Sequence, residues 1–115
     1  IQGIAKVLSE QDLVVLVAVV YAHPKLLNAN RRSIGDYFEV YLRASLDTVR
    51  GRDSKGLYKN AGGDSEANIV GIDIPWHAPE SPDLVICTDD PEPADQLARR
   101  VVAAVPRLTH ALRSR

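Results

Sequence analysis

Apolar positions recur every three to four residues from the start of the chain: Ile1, Ile4, Val7 and Leu8 share one helical face. The spacing predicts an amphipathic helix over residues 1–9, with no capping residue ahead of it. The pattern then changes. Residues 12–20, DLVVLVAVV, are apolar without alternation, as a strand buried on both faces requires, and predict a parallel sheet covered by helices. Beyond His23 and Pro24, the apolar pair Leu26 and Leu27 with the charged Arg31 and Arg32 predicts a short helix over 24–33. YFEVYL, residues 37–42, reads as a second strand. Ser45 offers a side-chain oxygen to cap a helix carrying Leu46 and Val49, with Asp47 well placed for the helix dipole.

Prolines punctuate residues 75–82, which excludes regular helix and central strand there. Residues 84–88, LVICT, form a third predicted strand. A last helix is expected over 93–114, with Leu97, Val101, Val105, Leu108 and Leu112 on one face and Pro106 kinking it or starting a new turn. Alternating strands and helices give the α/β class, a parallel sheet flanked by helices. No repeat, low-complexity tract or linker divides the chain, so residues 1–115 read as a single domain.

Composition narrows the function. Fourteen lysines and arginines against fifteen acids leave a net charge of −1, which argues against a nucleic-acid partner. The single cysteine, Cys87, excludes an intrachain disulfide and fits a reducing, cytoplasmic setting. Within LVICT it reads as a buried, inert strand thiol. No secretory signal is visible, and the apolar run 13–20 is too short to span a bilayer, so no membrane association is expected. Histidines and cysteines do not pair at ligand spacing, so no metal site made by side chains alone is expected. The chain has no methionine, even at position 1. With a helix already under way at Ile1, this predicts a fragment or a product lacking its N-terminal portion.

Candidate chemistry concentrates in residues 50–76, RGRDSKGLYKNAGGDSEANIVGIDIPW. Arg50, Arg52, Lys55 and Lys59 sit among Gly51, Gly56, Gly62, Gly63 and Gly71 and end against Trp76. Cations on a backbone that can bend suit a flap closing over an anionic ligand. RDSKGLYKNA followed by VGIDIPWHAPESPDLVI resembles the lid and last-strand region of the adenylyl-sulfate kinases, where the run reads approximately RDPKGLYKKA, then FTGIDDPYE-P-P. Arg52, Asp53, Lys55, Gly56, Leu57, Tyr58, Lys59, Ala61, Gly71, Ile72, Asp73, Pro75 and Pro79 fall on it without a gap, and the similarity extends weakly back to Ile1 and forward through the last helix.

The resemblance implies a three-layer P-loop kinase fold and transfer of the γ-phosphate of ATP to the 3′-hydroxyl of adenylyl sulfate. It implies that Arg52 stacks on the ATP adenine, a contact worth roughly 1 kcal/mol, with Pro91 packing on the other face; the alternative for Arg52 is an ion pair with Asp53 or a surface acid. Lys55 falls on the lid lysine that reaches the acceptor and the transferring phosphate. Val20 and Tyr21 align with an isoleucine–serine pair at the end of the third strand, where acceptor binds, and His23 joins them as a candidate pocket residue. Asn68 and Ile69 occupy the place of a glycine–phenylalanine pair whose phenylalanine stacks on the adenine of adenylyl sulfate. Ile69 offers apolar area without a π face, a loss on the order of 0.5–1.5 kcal/mol. Trp76 can supply part of it. Leu57 and Tyr58 read as packing residues, Asp73 as a turn-capping carboxylate, and His77 and His110 as surface residues.

The phosphate-cradling sequence G-x-x-x-x-G-K-[ST] does not occur in these 115 residues. By resemblance it precedes the opening helix, so ATP and its Mg2+ would be held mainly by segments upstream. The strand leaving that loop lies, in this fold class, between the third and fourth strands. Residues 13–20 and 37–42 are therefore not expected to be neighbours, each exposes an edge, and stable folding is expected to need the upstream residues. The expected partner is a small-molecule nucleotide, and the resemblance also allows a homodimer. Two alternatives follow from the departures: a kinase of the same fold with another small-molecule acceptor, and a non-catalytic remnant acting as an interaction module.

Overall fold

The computed structural model describes residues 1–20, 23–54, 56, 58, 69–72 and 74–113, the last four by backbone alone. Helix α1 (Gln2–Ser9) follows the apolar spacing of its sequence. Helix α2 (Pro24–Ser33) covers the span its sequence predicts. Proline opens it at a position where the missing N–H has no intrahelical partner to lose. His23 caps it, its Nδ1 accepting from the Lys25 N–H at 3.2 Å, and Arg31 and Arg32 lie in the last turn, where cations favour the helix dipole.

Strand β1 (Val40–Arg43) pairs in parallel with β2 (Leu84–Cys87), in the register Val40↔Leu84 to Arg43↔Cys87. The α/β class with a parallel sheet is thus present, as two paired strands among the described residues. Glu39 fixes the start of the ladder: its carbonyl accepts from the N–H groups of Asp83 and Leu84, and its own N–H donates to Asp83 Oδ2 at 2.7 Å. Between the strands runs α3 (Leu46–Gly51), capped by the Ser45 hydroxyl as expected, with Asp47 in its first turn. Helix α4 (Ala94–Ala104) packs on β2 and on α5 (Pro106–Arg113). Ile86 is fully buried in this arrangement.

Two expectations are corrected, and a third is decided between its alternatives. Residues 12–20 do not form a strand: Asp12 turns the backbone at φ 64°, and no described residue joins 13–20 in a ladder. A strand exists only through a neighbour's hydrogen bonds, and hydrophobicity alone cannot supply one; Leu16 and Val20 are 93% and 87% exposed. The last helix is two helices. Val105, held extended at ψ 111° by the proline that follows, ends α4, and Pro106 opens α5. The Thr109 hydroxyl lies within 3.2 Å of the Val102 and Ala103 carbonyls at the end of α4 and 3.0 Å from the Val105 carbonyl, which also accepts the Thr109 N–H. Cys87 is exposed, because its side chain leaves β2 on the face opposite Ile86.

The chain forms two compact units, one of residues 1–38 with 76–81, the other of 39–75 with 82–115. In the first, Asn28 donates to Glu80 at 2.8 Å and Arg31 to the Ser81 carbonyl at 2.9 Å, while the Arg31 guanidinium lies 5.2 Å from the Tyr37 ring centre. These contacts bind the proline-rich return to α2. The second unit holds the sheet, α3, α4 and α5.

Candidate functional site

The second unit concentrates its polar contacts where the parallel strands end. Arg52 is the C-cap of α3, with φ −90° and ψ 6°. Its guanidinium donates to the Thr88 carbonyl, the first residue past β2, at 2.5 Å. Ligands of open parallel sheets gather at this end of the strands. Arg52 thus engages a backbone oxygen rather than pairing with Asp53. The Asp53 carboxylate instead accepts the Tyr58 N–H at 2.7 Å, and Gly56 stands at φ 69°, a conformation costly to a residue with a Cβ.

One residue further along, Asp89 accepts from the Ser45 N–H at 2.7 Å and from the Cys87 thiol at 3.3 Å. The Ser45 N–H, foremost, with the Thr48 and Ser45 hydroxyls and the Cys87 thiol, holds the Asp89 carboxyl well below the usual carboxylate range. Past Asp89, Glu92 takes the Arg100 guanidinium of α4 at 2.8 Å. The connection bearing Pro91 is therefore fastened on both sides, and Pro91 itself is exposed.

Ile69 sits at the other end of the glycine-rich segment. Its carbonyl accepts from the N–H groups of both Ile72 and Ile74, at 3.1 Å each, and its side chain is half-buried. Gly71, inside that turn at φ 91°, packs near Leu46 of α3. Any side chain there would be strained by the backbone rather than by contact, since an added Cβ would stand 3.7 Å from Leu46.

The model of the family described as adenylylsulphate kinase matches residues 1–87. The chain belongs to the adenylyl-sulfate kinase family. An adenylyl-sulfate kinase of Halothermothrix orenii is 34% identical over 99 residues, covering 86% of this chain and 53% of that protein. The cytidine diphosphoramidate kinase of Campylobacter jejuni is 35% identical over 82 residues, 71% of this chain and 48% of its own. The bifunctional enzyme NodQ of Azospirillum brasilense is 37% identical over 106 residues, 90% of this chain and 17% of the relative. The chain spans about half the length of the single-function relatives it matches. No solved structure matches it at comparable significance.

Of the residues that the kinase resemblance singles out, Arg52, Pro91 and Ile69 lie in the second unit. Arg52 reaches the connection that bears Pro91 through Thr88, three positions earlier. Val20 lies in the first unit, exposed. Tyr21, Lys55 and Asn68 lie outside the described residues, as do Leu57, Lys59 and Asp73. His23 serves as the α2 cap, its ring 5.5 Å from that of His77. Among the described residues no group of three or more histidines, cysteines or acids gathers as a metal site, and no helix is long and apolar enough to cross a membrane.

Sequence reasoning missed Asp89. The available signal was an acid followed by Asp90 and Pro91 directly after a predicted strand, a turn composition. Its partner Ser45 lies 44 positions away, and no local pattern announces such a pairing.

Proposed function

We propose that this chain is the lid-bearing, C-terminal portion of a kinase that moves the γ-phosphate of ATP to the 3′-hydroxyl of adenylyl sulfate or a closely related acceptor. The bond between the γ-phosphorus and the bridging oxygen breaks, a bond to the 3′-oxygen forms, and the hydroxyl proton passes to solvent as ADP leaves. Membership of the family supports the reaction class. The observation that carries the site reading is the Arg52 guanidinium seated at the Thr88 carbonyl, beyond the C-terminal end of a parallel strand. There a planar cation is available to stack on adenine with Pro91 opposite. Val20, Tyr21, Lys55, Asn68 and Ile69 would serve the acceptor, and magnesium would arrive with ATP and neutralise its phosphates. Catalysis then consists of positioning and charge neutralisation, without a covalent intermediate.

A second acceptor has specific support. Ile69 replaces the stacking phenylalanine, and one relative is named a cytidine diphosphoramidate kinase. ATP consumption by the native protein is to be measured with adenylyl sulfate, with cytidine diphosphoramidate and with other nucleotide and sugar-linked acceptors. The expected result is the highest kcat/KM with adenylyl sulfate. A preference for the cytidine compound would reassign the acceptor while keeping the reaction. ATP turnover with none of them would remove the kinase reading and leave an interaction module.

A further inference from the structure

We propose that Asp89 is the positioning residue for Arg52, fixing where its guanidinium stands and thereby the affinity for the adenine nucleotide; this rests on the reading of Arg52 as an adenine-stacking residue. Two consecutive residues past β2 hold the two ends of α3. Asp89 Oδ1 takes the Ser45 N–H at the N-cap, at 2.7 Å, and the Thr88 carbonyl takes the Arg52 guanidinium at the C-cap, at 2.5 Å. Between them the helix has six residues, about 9 Å at the usual rise.

The helix is closed locally at its start as well. The Ser45 hydroxyl accepts from the Thr48 N–H at 3.2 Å and lies 3.0 Å from the Thr48 hydroxyl. A helix this short and capped transmits any displacement of its first residue to its last. The Asp89 bond is charge-assisted, the stronger and shorter kind. Its second oxygen is engaged by the Cys87 thiol at 3.3 Å, which opposes rotation of the carboxylate away from Ser45.

The consequence concerns entropy and aim together. A guanidinium on a long stem samples many rotamers unless its Cα and its acceptor are fixed relative to each other. Asp89 does this by fastening the start of α3 to the residue next to the acceptor. Without the carboxylate, Ser45 is free to leave the strand tip, the helix pivots, and the Arg52–Thr88 bond loses its geometry. Stacking on adenine then begins from a disordered side chain. The effect is expected first on ATP, because Arg52, the adenine-assigned side chain, is the one the clamp holds at the C-cap of α3.

The experiment is a double-mutant cycle in the native protein, read by equilibrium binding of ATP and by KM for ATP and for adenylyl sulfate. Arg52→Ala is expected to weaken ATP binding roughly 5-fold, the worth of one cation–π contact. Asp89→Ala is expected to weaken it roughly 3- to 5-fold with the acceptor KM unchanged, and to add nothing in the Arg52→Ala background, as for two residues acting through one contact. Asp89→Asn keeps one oxygen for Ser45, so its loss should be about 2-fold and vanish when Arg52 is alanine. That pair decides the matter if Asp89→Ala does not fold. Losses that add in the double variant, or that fall equally on ATP and acceptor, mean a purely structural role and overturn the proposal. So does unchanged ATP affinity in the Asp89 variants while Arg52→Ala weakens it. If Arg52→Ala itself leaves ATP binding intact, the adenine reading of Arg52 fails, and the positioning role with it.

Discussion

Asp89 shows how an exposed carboxylate acquires a fixed role from the donors around it. The Ser45 N–H and its companions favour the charged form, so the folded carboxyl titrates below its ordinary value of 3.8. The sign of the linkage follows. Stability from this group is fully present above the unfolded value and is lost as pH falls below it toward the folded one. Denaturation midpoints of the native protein at pH 5 and pH 3 are expected to fall with acid, and Asp89→Asn should flatten part of that fall. A slope identical in wild type and variant would show that the carboxylate contributes nothing. The change should be modest, since the group stands in solvent and its interactions are screened.

At the scale of elements, capping and proline chemistry decide where helices begin and end. Ser45 is the clearest instance: its hydroxyl accepts the Thr48 N–H, and α3 starts at the next residue. Ser45→Ala in the native protein is expected to cost about 1 kcal/mol by chemical denaturation. The backbone bond to Asp89 survives that change, so ATP affinity should fall less than in Asp89→Ala; a larger fall would assign the helix position to the cap instead. Pro106 shows the other case. Its helical face continues on both sides, with Val101, Val105 and Leu108 all half-buried, yet the proline turns one periodic run into two helices. The apolar period was readable there, and the break was readable only as a kink or a restart.

The described residues bury little apolar surface completely. Ile86 is the one fully buried hydrophobic side chain among the described residues, while Ile1, Val14, Leu16 and Val20 stand mostly in solvent. A side chain buried as fully as Ile86 is worth about 1.5–3 kcal/mol, and the four exposed ones gain little of that where they stand. The 115-residue chain by itself is therefore expected to lack a cooperative thermal transition by circular dichroism. A sharp, concentration-independent melt of a monomer would contradict this. The expectation agrees with a chain that spans about half of the kinases it matches.

What the sequence determined unaided was local. Helices α1 and α2, the Ser45 cap and the two strands around residues 40 and 85 were readable because periodicity, caps and prolines act within a few positions. The lid motif also carried the family, through the run Arg52 to Pro79. Tertiary structure alone decided the rest. It left residues 13–20 without a ladder to any described residue, turned Cys87 outward, and brought Thr88 and Asp89 to the two ends of α3. Those outcomes depend on partners 36 to 44 positions away or on a neighbouring strand. Such hydrogen bonds form only when the backbone brings distant groups within about 3 Å, a distance that no pattern along the chain encodes.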